Sequence, residues 1–222
     1  MTDASPLPRW MGWLPIVLYA AAGAFALWAI VAPLYQLTQP AATVTVNLAA
    51  EPSGSILAQV PGLPDGVTLA PTGSDGLTVN VTATTPPCDP GSSACTAAEQ
   101  GAPLWLRFLS VLPTALWSAA LAVISVLLAR IVTSIARNEP FAPAQARRWT
   151  VIAGAILVAS WGADTLTWAT ASLFVNQYQL PADLVPTAYY SYIPPALALI
   201  ALTLAAAFRA GRTLAEDTEG LV

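Results

Sequence analysis

The sequence predicts a mainly α fold, a four-transmembrane-helix bundle with a small β-rich extracytoplasmic insertion between the first and second helices. Three observations point to it. Four long apolar runs recur along a chain of 222 residues that is 56% hydrophobic and 9% charged, where a soluble domain carries about 25% charged residues. Arginine-bearing segments alternate with acidic, arginine-poor ones between those runs. One long polar segment with period-two patterning separates the first run from the second. A bilayer hides that much apolar surface and a soluble fold does not.

The first run, 14–35, is interrupted only by Pro15, Gly23 and Pro33, and Arg9, Trp10 and Trp13 precede it as an interfacial anchor. A signal peptide is the rival reading, since Ala24-Phe25-Ala26 imitates a cleavage site. The run outlasts the ~7–15 residues of an h-region, so an uncleaved signal anchor is expected. The second run spans 104–131 and the third 150–174. The fourth, 192–208, opens on Pro194 and Pro195, which suit a helix's first turn. Each run is close to the ~20 residues that cross hydrocarbon.

Orientation follows from arginine. Four spans put Arg9, Arg130, Arg137, Arg147, Arg148, Arg209 and Arg212 on one side and only Arg107 on the other. The positive-inside rule then predicts cytoplasmic N- and C-termini in a multi-pass plasma-membrane protein. Trp10, Trp13 and Trp149 mark the inner interface; Tyr35, Trp105, Tyr178, Tyr189 and Tyr190 mark the outer one. The expected divisions are 1–37, the cytoplasmic N-terminus and first helix; 38–103, the extracytoplasmic β-rich domain; and 104–222, the remaining three helices with a cytoplasmic loop and tail.

Within 38–103, alternation over 43–48, 67–69 and 77–82 predicts a small antiparallel sheet of three to five strands, separated by Gly-, Pro- and Asp-containing turns. Such a segment is too small to build much core alone. It carries Glu51, Asp65, Asp75, Asp89 and Glu99 and no lysine or arginine, a surface that repels phosphate backbones, so no nucleic-acid partner is expected. Cys88 and Cys95 lie in this segment, and in an oxidising compartment a local disulfide is the natural reading. Histidine is absent, which excludes histidine triads and histidine metal sites. No cofactor or metal is expected, and no enzyme.

The loop 137–149 holds Pro140 and Pro143, which stop the second helix, and Arg147 and Arg148, which can meet anionic lipid at about 1 kcal/mol each. Docking of a protein partner is the functional alternative for this loop. The positions Arg137, Pro140, Phe141, Gln145, Arg147 and Arg148 resemble the signature of domain-of-unknown-function family 2975, a group of bacterial membrane proteins. That signature is a basic residue, a polar step, Pro-Phe, then Asn or Gln and paired basic residues. Asn138 stands where glycine is commoner, and Ala142 where a small hydroxyl residue would cap the helix. The tail 208–222 is similar to the ending of actinobacterial members. The resemblance implies four spans and no established chemistry. Some members are encoded beside small helix-turn-helix regulators, which points toward signalling.

Asp164 is the one acid inside a span. It lies ~22 Å along its helix from Trp149 at 1.5 Å per residue, and costs about 2.5–3.5 kcal/mol to insert. Ser160, Trp161, Thr165, Thr167 and Trp168, with Thr114 and Ser118 of the second run, are its candidate partners. A hydrogen-bonded aspartate joining two helices is the plainer reading; a proton or cation relay is the sharper one. The leading functional expectation is a non-enzymatic accessory or regulatory subunit. It would act through contacts, with the lipid bilayer and a membrane-protein partner or a second copy as its partners. A small transporter or proton- or cation-conducting element using Asp164 is the alternative.

Overall fold

The computed structural model describes residues 10–38, 44–50, 67–71, 78–83, 103–137, 142, 144–179, 184–187 and 190–219. Four helices dominate: α1 (Trp10–Thr38), α2 (Leu104–Ala136), α3 (Ala144–Tyr178) and α4 (Ile193–Glu219). Each contains a stretch long and apolar enough to cross a membrane: Gly12–Thr38, Leu104–Ala136, Ala144–Gln177 and Ile193–Leu214. The chain is a multi-pass membrane protein.

Every helix overruns its apolar run. α2 has 33 residues, about 50 Å at 1.5 Å per residue against a hydrocarbon core of ~30 Å. Hydropathy marks how far lipid reaches, whereas the hydrogen-bond ladder continues until something breaks it. Pro113 lies inside α2; it removes one ladder donor and does not end the helix. α3 ends with Gln179 at φ 48°, the left-handed position that commonly closes a helix and favours glycine. α4 passes through Gly211 to Glu219, well beyond the end of the fourth apolar run at 208. Arg212 and Glu216 pair at 2.7 Å across that last stretch, an exposed i,i+4 contact of about 0.3–0.5 kcal/mol.

Side-chain size is sorted opposite to a soluble protein. Ala198, Ala201 and Ala205 are buried on α4, while Leu197, Leu199, Ile200 and Leu202 face outward. On α3 the buried residues include Ala153, Ala159, Ala163 and Ala171, while Val151, Val158, Trp161 and Trp168 are exposed. Small residues let helix backbones approach closely, and lipid solvates the large ones. α1 goes furthest in this direction. Ala22 is its one buried residue among those described, and Trp13, Ile16, Val17, Leu27, Trp28, Ile30 and Leu34 are all exposed.

The chain divides into two compact units. One comprises Met1–Ala29, Leu116–Trp161 and Ser191–Val222. Its core is Ile131, Ile152, Ala153, Ala198 and Ala201, with Ile124, Leu127, Leu128, Trp149, Ile156 and Leu157 packed against them. The other comprises Ile30–Ala115 and Gly162–Tyr190; its buried residues include Val46, Leu48, Leu106, Thr170 and Phe174.

The second unit holds an antiparallel sheet of four strands in the order β2-β3-β1-β4. These are β1 (Val44–Ala50), β2 (Val67–Pro71), β3 (Thr78–Ala83) and β4 (Leu184–Pro186). The register sets Val46 opposite Val81 and Val81 opposite Leu69, while Thr45, Thr82 and Thr68 form the adjacent row. Alternation places Val46 and Leu48 on one face, and both are buried. The sheet is completed from outside 38–103, by β4 pairing Leu48 with Pro186 and Ala50 with Leu184. The fold class that stands is mainly helical.

Candidate functional site

The first two turns of α3 gather the polar side chains whose geometry is most unusual. Its N-terminal end is set by a backbone bond from the Gln145 N–H to the Ala142 carbonyl, 2.9 Å. Gln145, Arg148 and Trp149 follow at i, i+3 and i+4, so they share one face of the helix. The Arg148 guanidinium donates to the Arg130 carbonyl of α2 at 3.0 Å. The Trp149 indole stacks on Phe208 of α4, with centroids 6.4 Å apart and planes 13° from parallel. This face therefore meets both α2 and α4 within the first unit.

Gln145 is 0% exposed, and neither its Nε2 nor its Oε1 has a hydrogen-bond partner among the described residues. Trp149 Nε1 is likewise buried and unpartnered among them. Each such atom costs about 1–3 kcal/mol in lost hydration. Three of them on one turn are a concentrated polar demand: two donors and one acceptor, beside a guanidinium, at the N-terminal end of a 35-residue helix. That end carries partial positive charge and unpaired backbone N–H groups.

The loop positions singled out from the sequence separate. Gln145 and Arg148 come together on the buried face, and Arg147 projects from the exposed side of the helix. Arg137 closes α2, its backbone N–H shared between the Thr133 and Ser134 carbonyls. Pro140 and Phe141 lie outside the described residues, as do Cys88 and Cys95. Arg148, expected at the membrane surface, donates to a helix carbonyl. Nothing in local sequence announces that bond, because Arg130 is 18 residues away. The burial of Gln145 was equally unannounced, since a glutamine among arginines reads as a surface residue.

Asp164 lies on α3 in the second unit, half-buried. No hydrogen bond or ion pair from it is found among the described residues. Three hydroxyls further along the same helix turn to their own backbone. Thr167 donates to the Ala163 carbonyl at 2.8 Å, Thr170 to Leu166 at 2.7 Å and Ser172 to Trp168 at 2.9 Å. Among the described residues no group of three or more His, Cys, Asp or Glu is placed to hold a metal ion.

A family model described as "Protein of unknown function (DUF2975)" matches residues 93–222. No curated protein and no solved structure matches the chain.

Proposed function

We propose that this chain, which belongs to the DUF2975 family of proteins of unknown function, is a non-enzymatic accessory or regulatory subunit acting through protein contacts. It sits in the plasma membrane with N- and C-termini cytoplasmic and the segment 38–103 extracytoplasmic. The arginine asymmetry between connections supports that orientation.

The observation that carries the reading is α1. A spanning helix with Ala22 as its one buried residue among those described contributes little to the fold of its own chain. Its outward Trp13, Tyr19, Trp28 and Tyr35 are the residue types that dominate interface energetics. Covering them with a partner's span is a role that such a helix can fill and an enzyme scaffold does not require. Purification from native membranes in a mild detergent, followed by protein identification, tests this. A reproducible membrane-protein partner is expected, and Trp28→Ala together with Leu27→Ala releases it. A clean monomer with no reproducible partner contradicts the reading.

Asp164 supports a second reading, a small transporter or proton- or cation-conducting element. A carboxyl within a span and without a hydrogen-bond partner among the described residues is a functional-site hypothesis by default. Asp164→Asn then abolishes a pH-dependent flux in proteoliposomes; unchanged flux removes this alternative.

A further inference from the structure

We infer that the face formed by Gln145, Arg148 and Trp149 binds a phosphate ester bearing a free hydroxyl group, the chemistry of a glycerol phosphate headgroup. The hydrogen-bond inventory selects that class. Among the described residues the Gln145 Nε2 and Trp149 Nε1 groups are donors without partners, and the Gln145 Oε1 is an acceptor without one. An anion without a hydroxyl, such as sulfate, takes both donors and leaves Oε1 unpaired. A neutral polyol satisfies Oε1 and makes no use of the cation beside it. A phosphate ester with a hydroxyl does both: its oxygens accept from the amide, the indole and the guanidinium, and its hydroxyl donates to Oε1.

Position and charge favour the same ligand. Gln145 lies in the first turn of α3, where the helix dipole attracts anions, and Arg148 and Trp149 lie in the second. Arg147 closes the first turn, and from Ala144 to Ala163 the helix carries no acid. The Arg148 guanidinium is anchored through one N–H to the Arg130 carbonyl, so its position is fixed while its other donors stay available. Trp149 is held by its stack on Phe208, which fixes the direction of its N–H. Gln145 is the adaptable member: its torsions swing the amide toward the helix end without moving the backbone. This inference does not depend on the accessory role, and each fails independently of the other.

The test uses the full-length protein in a mild detergent. Thermal unfolding and native mass spectrometry are recorded with phosphatidylglycerol, phosphatidylcholine, sn-glycerol 3-phosphate and sulfate. Wild type is expected to bind phosphatidylglycerol about tenfold or more tightly than phosphatidylcholine, the effect of one charge-assisted hydrogen bond or more. Gln145→Leu loses that preference yet unfolds, without lipid, at the same temperature as wild type or higher, because it removes the unpartnered amide. Trp149→Phe keeps the ring stack, removes the N–H and loses part of the preference. If sn-glycerol 3-phosphate competes at equal concentration, the ligand is a free phosphate ester; if only the lipid binds, the source is the membrane. Sulfate performing as well as the ester overturns the assignment. So does a wild-type preference retained by both variants, because the arginines alone then account for the binding.

Discussion

Replacing Ala201 by leucine probes whether small side chains face the protein and large ones face lipid. Ala201 is 3% exposed and belongs to the cluster with Ile131, Ile152, Ala153 and Ala198. A leucine adds three carbons to a site already in contact with two other helices. Overpacking of that kind costs about 1–3 kcal/mol, and the upper end applies because the neighbours include Ala153 and Ala198, whose side chains have no rotamers through which to yield. The matched control is Leu199→Ala, two residues earlier and 63% exposed. In water-soluble packing a leucine-to-alanine change in a core costs about 2–5 kcal/mol; at a lipid-facing position it leaves helix packing unchanged, within about 0.5 kcal/mol. Thermal unfolding of both variants in the same detergent gives the comparison. A neutral Ala201→Leu with a destabilising Leu199→Ala means that α4 presents the opposite face to its neighbours, and the packing argument fails.

Three further predictions follow from single contacts. Gln179→Gly raises stability by about 1 kcal/mol, since glycine adopts the left-handed conformation at φ 48° without the Cβ cost; a drop in unfolding temperature contradicts a conformational penalty there. Arg148→Met keeps the aliphatic stem and loses the 3.0 Å bond to the Arg130 carbonyl, which costs about 1 kcal/mol; an unchanged unfolding midpoint means that the bond is not maintained in the membrane. Leu48→Ala removes a 0% exposed side chain from β1 and costs about 2–5 kcal/mol; accelerated proteolysis of the sheet segment reports it, and unchanged digestion rules out a packed β1.

The parts legible in the sequence are those governed by a single periodicity. Four apolar runs became four helices because lipid length sets a lower limit on a span, and alternation at 43–48, 67–69 and 77–82 became β1, β2 and β3 because one face of the sheet is apolar. Helix ends were not legible, since α4 runs through Gly211 on backbone bonds that tolerate one glycine. β4 was missed because three residues ending in Pro186 carry no alternation; pairing with β1, not propensity, makes them a strand. At the candidate site the residue types were visible and their arrangement was not. The stack of Trp149 on Phe208, the Arg148 bond to Arg130 and the burial of Gln145 are all tertiary, fixed by how α2, α3 and α4 pack. Thr167, one of the hydroxyls proposed as partners for Asp164, illustrates the same limit: it donates to the Ala163 carbonyl, because in a helix threonine reaches its own i−4 carbonyl more easily than a neighbouring side chain.

The most direct measurement of the membrane arrangement is cysteine labelling in intact cells. Cys88 and Cys95 are first replaced by serine, and a single cysteine is placed at Tyr190, between α3 and α4, or at Thr213, near the end of α4; both positions are exposed. An impermeant maleimide is expected to label position 190 from outside and position 213 only after the membrane is opened. Labelling of position 213 in intact cells, or protection of position 190, contradicts a four-span chain with cytoplasmic ends.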